Sequence, residues 1–133
     1  EQYHDALRAE NKAWQGSTVS VNRIVILADD PDEAWADAAT YLLKLFRVYA
    51  KIGLIPKADA LFGPQVEALE ALKDLVRGIC LVGSPETVTS TLSSYASYGV
   101  TQLQLRPAPA FMPTELIERT VRLAGEKLVP TFN

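Results

Sequence analysis

The chain has 133 residues, enough for about one domain, and 48% of them are hydrophobic and 22% charged. These values are typical of globular proteins, so they exclude a disordered or fibrous chain. The net charge of −3 excludes nucleic-acid binding through bulk positive charge, and no apolar run reaches the roughly 20 residues of a membrane helix. A single cysteine, Cys80, excludes an internal disulfide. Together with the lack of a signal-peptide pattern, it favours a cytoplasmic location.

The first half of the chain predicts one strand between helices. Apolar residues at helical spacing predict a helix over 1–15, which Gly16 and Ser17 end. A strand is predicted over 18–28, and its continuous apolar run at 24–27 is typical of a strand covered on both faces. The chain begins with Glu1 rather than Met, inside this first helix, so we expect it to be a piece of a longer protein.

Strong start signals predict the helix that follows. Asp30 suits the N-cap and Pro31 the first helical position, and Gly53 and Pro56 end the helix. Residues 53–63 predict an irregular connection. Its apolar side chains would need a cover, and they are Leu54, Ile55, Leu61 and Phe62.

A further helix is predicted to begin at Pro64 and to end near Gly78, with Val66 and Leu72 in its buried stripe. Residues 79–82 are either a short strand or an apolar loop, and the loop is favoured. Ser84 then predicts an N-cap followed by Pro85. Alternation predicts a strand over 100–106, and the last helix is predicted over about 114–128.

The order of these elements predicts βα units and therefore a parallel sheet of the α/β class. Two or three strands are few for 133 residues, because so small a parallel sheet cannot cover its own edges. The chain is therefore expected to pair with another chain or to form part of a larger sheet.

Four segments in order carry a family resemblance. They are RIVILADDPDEA at 23–34, VGSPETV at 82–88, YGVTQLQL at 98–105 and RTVRLAGEKLVP at 119–130. Together they resemble the C-terminal part of the bacterial-luciferase-like flavin-dependent monooxygenases. The resemblance spans roughly residues 3–131, and the ordered combination carries it, because each motif alone is partly generic helix-cap chemistry.

The resemblance implies the C-terminal part of a (β/α)8 TIM barrel. Residues 18–28 would be the seventh barrel strand, 101–106 the eighth, and 50–82 an insertion between them. A complete barrel takes about 250 residues or more. Residues 1–133 are therefore expected to form a single partial domain with the last two barrel strands and flanking helices, not a complete barrel.

The resemblance also implies the function of the parent protein. It would be a flavin-dependent oxidoreductase, a monooxygenase that uses reduced FMN and dioxygen on a small organic substrate. A flavin reductase or another source would supply the reduced flavin, and the isolated chain would be inactive. Some relatives instead transfer hydride with a deazaflavin, and the sequence does not separate these two cofactors.

A second hypothesis is a non-catalytic half-barrel or subunit that associates with another chain. The apolar side chains of residues 53–63 would then form part of the interface. On either hypothesis we expect a homo-oligomer or contact with the remainder of a barrel, and no nucleic-acid or membrane partner.

Because barrel active sites lie at the carboxyl ends of strands, Arg106 and Asp29 are the candidate cofactor-binding residues. The Arg106 guanidinium suits a phosphate or another anionic group, and the alternative is a surface arginine or a salt bridge. Asp29 could contact the ligand, but a role in the helix cap is favoured for it. No catalytic residue is identified.

The remaining polar candidates favour structural roles. Ser84 is expected to cap its own helix rather than to bind phosphate, His4 to be a lone surface histidine, and Cys80 to be a buried inert thiol. No zinc or calcium spacing occurs in the sequence, so no metal site is expected. Four aromatic residues are expected to be core residues rather than to stack on a flavin, namely Trp14, Trp35, Phe46 and Tyr49.

Overall fold

Three parallel strands form the centre of the computed structural model, which describes residues 2–12, 18–55 and 58–132. They are β1 (Ser20–Leu27), β2 (Cys80–Gly83) and β3 (Gln102–Arg106), in the spatial order β2-β1-β3. The helices are α1 (Gln2–Ala9), α2 (Pro31–Lys51), α3 (Gln65–Val76), α4 (Pro85–Ser97), α5 (Thr114–Leu123) and α6 (Val129–Phe132). A 3-10 turn lies at Asp59–Phe62, and a π-helical turn at Ala124–Leu128 joins α5 to α6.

The two outer strands pair with different halves of β1. The amino half pairs with β3, from Ser20 opposite Gln102 to Ile24 opposite Arg106. The carboxyl half pairs with β2, from Ile24 opposite Cys80 to Leu27 opposite Gly83. Strand β3 therefore stops three residues before the end of β1, and the sheet is staggered.

The loop expected at 79–82 is wrong, because Cys80–Gly83 forms strand β2. Four residues are too few to show a strand period, so the local sequence left both interpretations open. The pairing partner decides between them: the apolar run of β1 offers a parallel edge, and Cys80 and Leu81 are buried against it. The sheet accordingly has three strands rather than the two assigned from the resemblance.

Helices cover both faces of the carboxyl half of β1, as its continuous apolar run predicts. Ile24 and Ile26 lie in one cluster with side chains of α2 and α3, including Phe46. Val25 and Leu27 lie in a second cluster with residues of α4, α5 and the π-helical turn. The α/β class is confirmed. A parallel sheet of βα units is compatible with a barrel fragment. In a closed barrel, all the helices lie outside and consecutive strands are neighbours. Here helices cover both faces of β1, and the consecutive strands β2 and β3 lie on opposite sides of β1.

Both predicted helix caps form. The Asp30 Oδ1 atom accepts hydrogen bonds from the backbone N–H groups of Asp32 (2.9 Å) and Glu33 (3.0 Å). At the start of α4, the Ser84 hydroxyl accepts from the Thr87 N–H at 3.3 Å. These caps fix the two helices directly after the strands that precede them.

Several expectations about buried side chains are corrected. In the connection after α2, Leu61 is buried and Ile55 packs against the core, so Leu54 and Phe62 are the exposed residues of that set. Val66 is 75% exposed rather than part of the buried stripe of α3. Helix α1 ends at Ala9, well before residue 15, and Trp14 lies outside the described residues.

Beside the end of β1, side chains of α5 make the hydrogen bonds that a neighbouring strand would otherwise make. The Leu27 N–H donates to the hydroxyl oxygen of Thr120 at 3.1 Å, and Arg119 Nε donates to the Leu27 carbonyl at 3.0 Å. Thr120 is fully buried. Because a buried peptide group without partners is costly, these two contacts allow β3 to stop at Arg106.

We expect Thr120→Val to lower the free energy of unfolding by about 1–3 kcal/mol, because it leaves the buried Leu27 N–H without an acceptor at nearly constant side-chain volume. Urea denaturation followed by circular dichroism measures this change. Thr91→Val is the matched control, since the exposed Thr91 hydroxyl donates to a carbonyl of its own helix, and a change within about 0.5 kcal/mol is expected. Equal effects of the two substitutions would contradict the role of Thr120.

Candidate functional site

The loops after β1 and β2 lie side by side at the carboxyl edge of the sheet. Leu27 is opposite Gly83, and a Cβ atom placed on Gly83 would lie 3.9 Å from the Pro31 Cβ. The starts of α2 and α4 are therefore neighbours. Their capped N–H groups are already bonded by Asp30 and Ser84, so the structural role expected for Ser84 is confirmed.

Arg119 holds this edge together from α5. Besides bonding the Leu27 carbonyl, its guanidinium donates to Glu33 Oε1 at 2.9 Å and to Asp37 Oδ2 at 2.8 Å, both on α2. Its side chain is 19% exposed, so these charged contacts are partly shielded from water. One side chain thus fixes a strand end, a helix start and α5 relative to one another.

No pattern in the sequence singles out Arg119. The available signal was the pair of adjacent polar residues Arg119 and Thr120 within a helix that is predicted to be apolar on one face. Their partner Leu27 lies 92 and 93 residues earlier in the chain, so no local pattern connects them.

The carboxyl edge beside β1 is acidic. Five carboxylates occur between residues 29 and 37, and Arg119 is engaged with two of them. Asp29 is exposed, and the capping carboxylate is that of Asp30, so the cap role favoured for Asp29 is wrong. Because like charges repel, this edge suits a hydroxyl or cationic group better than a phosphate.

Arg106 lies in a different environment. It ends β3 opposite Ile24, about 10 Å short of Leu27 at the usual rise of a strand. The structure therefore does not bring Arg106 and Asp29 together at one height of the sheet. Among the described residues, the Arg106 guanidinium makes no hydrogen bond or ion pair, and the side chain is exposed.

Arg106 belongs to a row of exposed polar residues, which we call the polar strip. It lies on the amino half of the sheet, on the face that carries Ile24, and consists of Ser20, Asn22, Gln102, Gln104 and Arg106. Asn22 Nδ2 donates to Gln104 Oε1 at 3.1 Å across the two strands. The strip offers amide and hydroxyl groups beside one cation, and the cation suits an anionic group at the Arg106 end of the strip.

Cys80 is buried, as the sequence predicts. It lies in register with Ile24 and Arg106 across the sheet. Burial raises the pKa of its thiol from 9.0 to about 12, an effect that the positive charges of Arg106 and Arg23 partly offset. A thiol held protonated in this way is a poor nucleophile.

Both outer edges of the sheet border open grooves. The β3 groove, of about 410 Å³, lies between β3, α4 and α6 and is largely apolar, with Leu103, Leu105 and Phe132 in its wall. A second groove of about 330 Å³ follows β2 and carries charged residues, among them Asp32, Lys73 and Arg77.

The remaining candidates are structural residues or lie outside the described residues. Phe46 is buried and packs edge to face with Tyr49, with 5.7 Å between ring centroids. The Lys73 Nζ atom lies 5.4 Å from the centroid of the Trp35 ring. The His4 side chain is outside the described residues. Within the described ranges, no group of His, Cys, Asp or Glu side chains could hold a metal ion. No helix described there is long and apolar enough to cross a membrane.

Comparison with known proteins places the chain in a family. The family model for luciferase-like monooxygenases matches residues 1–102. The chain belongs to the luciferase-like monooxygenase family. The matched range includes β1, β2 and α4, and thus Asp29 but not Arg106. No curated protein sequence matches this chain.

Among solved structures, the chain is similar to the crystal structure of monooxygenase RslO1 from Streptomyces bottropensis, with a TM-score of 0.61 and 24% sequence identity. The match covers 98% of this chain and 36% of RslO1. At this identity the likeness establishes the fold only. This luciferase-like chain therefore spans about a third of the length of that monooxygenase.

We expect Arg119→Lys to lower the free energy of unfolding by about 1–2 kcal/mol, because an ammonium cannot hold Leu27, Glu33 and Asp37 in one planar arrangement. Arg122→Lys on the same helix is the control. Its exposed pair with Glu126 should be worth less than about 0.5 kcal/mol. Similar losses in the two variants, measured by urea denaturation, would count against the role of Arg119.

We expect Cys80 to react with a thiol reagent at pH 8 roughly a thousandfold more slowly in the folded chain than in urea, because three pH units separate its raised pKa from the ordinary value. Since the unfolded thiol ionises first, this group's contribution to stability is complete below pH 9 and declines as the pH rises toward 12. Comparing wild type with Cys80→Ala isolates that decline from other titrations. A native reaction as fast as that in urea would disprove the burial of the thiol.

Proposed function

We propose that this chain is the part of a flavin-dependent oxidoreductase that supplies the last strands of its barrel, and that the parent enzyme is a monooxygenase acting on a small organic substrate. Reduced FMN, delivered by a flavin reductase or another source, would activate dioxygen when bound. The observation that carries the proposal is the family match over residues 1–102. The likeness to RslO1 over nearly the whole chain supports the fold that this requires.

In this proposal Arg106 holds the anionic end of the cofactor. Its guanidinium is exposed beside the amides of Gln102 and Gln104, so a phosphate could accept bidentate bonds from it without displacing an existing ion pair among the described residues. The polyol chain of the cofactor would then run from Arg106 toward the carboxyl edge of the sheet, where Asp29 lies.

Asp29 has a complementary role. In the acidic surroundings of the carboxyl edge its carboxylate would accept a hydrogen bond from a substrate or cofactor hydroxyl, whereas a phosphate would be repelled. The Arg119 and Thr120 side chains of α5 bond the Leu27 peptide groups and so hold the start of the loop that carries Asp29. Arg106 and Asp29 would therefore contact different parts of one extended ligand.

A chain that spans about a third of RslO1 leaves most of a barrel to be supplied. One exposed arginine and one exposed carboxylate provide few of the contacts needed to bury a flavin and to exclude water. We therefore expect the isolated chain to show no saturable FMN binding at micromolar concentrations and no oxygenase activity. Fluorescence titration measures the first, and oxygen uptake the second.

A chimera tests the role of Arg106. This chain replaces the part of RslO1 that it covers, and FMN and riboflavin binding are compared. We expect Arg106→Gln to weaken FMN binding by roughly tenfold and to leave riboflavin binding unchanged, because riboflavin lacks the phosphate. Arg122→Gln, which removes an exposed arginine paired within α5 and the following turn, is the control.

The outcomes separate the possibilities. A folded chimera that binds neither FMN nor a deazaflavin would contradict the proposed function. Equal effects of Arg106→Gln and Arg122→Gln would leave the oxidoreductase assignment standing and remove Arg106 from the site. A chimera that prefers a deazaflavin to FMN would replace the monooxygenase by a hydride-transferring oxidoreductase.

A further inference from the structure

A third groove follows helix α2 rather than an edge of the sheet. We call it the α2 groove. Its volume is about 290 Å³, and its lining residues are Lys44, Arg47, Val48, Lys51 and Phe111. The four residues of α2 recur at three- and four-residue spacing, so they share one side of the helix. None of the five lies on β2 or β3, so the groove does not depend on which strands pair with the edges of the sheet.

The α2 groove concentrates positive charge. Lys44, Arg47 and Lys51 lie within about 10 Å of one another along the helix axis. No carboxylate lines the groove, and among the described residues none of these three cations forms an ion pair. The three charges therefore repel one another, although the chain as a whole has a net charge of −3. A bound anion would relieve this repulsion.

Arg47 is held in position before any ligand binds. Its side chain is half-buried, and its Nε atom donates to the carbonyl of the buried residue Leu61 at 2.6 Å. That bond uses one of the five guanidinium N–H groups, and a guanidinium fixed in this way loses little freedom when another N–H group donates to an anion. The Lys44 Nζ atom lies 5.9 Å from the centroid of the Tyr41 ring. Two of the three cations thus have defined neighbours, unlike mobile surface lysines.

Phe111 adds an aromatic ring to the same groove. It is 58% exposed, and its φ of 73° lies in the left-handed region that bulky residues rarely adopt. Pro109 and Met112 in the same loop are buried, so they anchor the loop on both sides of Phe111. The chain thus holds a large apolar ring at the surface at a cost in backbone strain, and the ring gains little burial in return. Strain of this kind is typical of residues that contact a ligand.

We propose that the α2 groove binds a small dianion attached to an aromatic ring, the chemistry of an aryl phosphate or a nucleoside phosphate. Arg47 and the two lysines would hold the phosphate oxygens, and Phe111 and Val48 would pack against the ring. A volume of about 290 Å³ is at the lower end for ligand sites and suits a compact compound rather than a flavin nucleotide. The groove contains neither Arg106 nor Asp29, so this site is separate from the one in the proposed function.

Phenyl phosphate is the probe, because it combines both features in one compact molecule. In nuclear magnetic resonance titrations of the 133-residue chain, the amide signals of residues 44–51 and 111 should shift saturably. We expect a Kd on the order of 1 mM, since the groove is open to solvent. Inorganic phosphate should bind at the same residues roughly fivefold more weakly, because it lacks the ring. Phenol, which lacks the charge, should give no saturable shift.

Three variants separate the contribution of the charges from that of the ring. The double variant Lys44→Gln with Lys51→Gln should weaken the binding of both phosphates by roughly five- to tenfold, and it spares the fold because both side chains are exposed. Phe111→Gly should remove the advantage of phenyl phosphate over inorganic phosphate, and the chain should still fold because glycine readily adopts the left-handed conformation. Arg77→Gln is the control, since it removes an exposed positive charge outside the groove and should change neither affinity.

A chain whose amide signals at residues 44–51 do not shift saturably with phenyl phosphate overturns the proposal. Equal affinities for the two phosphates, or an advantage of phenyl phosphate that survives Phe111→Gly, overturn the ring contact and with it the ligand class. A loss of the same size in Arg77→Gln overturns the proposal as well, because total charge rather than the groove would then attract the anion. Circular dichroism checks that each variant is folded. These outcomes are independent of the flavin chimera, because the titration uses this chain alone and no flavin.

Discussion

The peptide group of Leu27 imposes the constraint on which the rest of the structure depends. It lies at the buried end of the central strand, beyond the point where β3 has stopped, and both its N–H and its C=O need partners there. Thr120 and Arg119 provide them from α5. Because Arg119 also binds two carboxylates of α2, satisfying one peptide group fixes the last long helix against the first helix after β1.

The stagger of the strands places the cation Arg106 and the carboxylates after β1 at different heights of the sheet. If β3 continued beside β1 to Leu27, its end would lie next to the acidic loop of Asp29 and Asp30. Instead Arg106 stands about 10 Å lower, among neutral amides and hydroxyls. A cation and a group of carboxylates are thus held apart without neutralising each other. In the proposed function, Arg106 and Asp29 would therefore contact different parts of one extended ligand rather than a single group.

Local patterns in the sequence were sufficient for the features that depend on local physics. The caps at Asp30 and Ser84, the helix of 31–51 and the strands at 20–27 and 102–106 follow from capping chemistry and hydrophobic period. Strand β2 was missed because four residues are too short for a period, and only its pairing with Ile24–Leu27 reveals it. The Arg119 contacts join residues more than eighty positions apart, and no local signal reports such a distance.

The candidate site likewise has features that local patterns predict and features that depend on the register of the strands. That Arg106 and Asp29 would follow strands could be predicted from the alternation and from the caps, but their relative height depends on register, which a single sequence does not specify. Register also determines what β3 offers to its surroundings. Because its even residues bond inward, the leucines alone carry outward peptide groups, next to a stretch without charge. The same pairing that keeps Arg106 away from the acidic loop therefore leaves the outward peptide groups of Leu103 and Leu105 without a strand partner among the described residues.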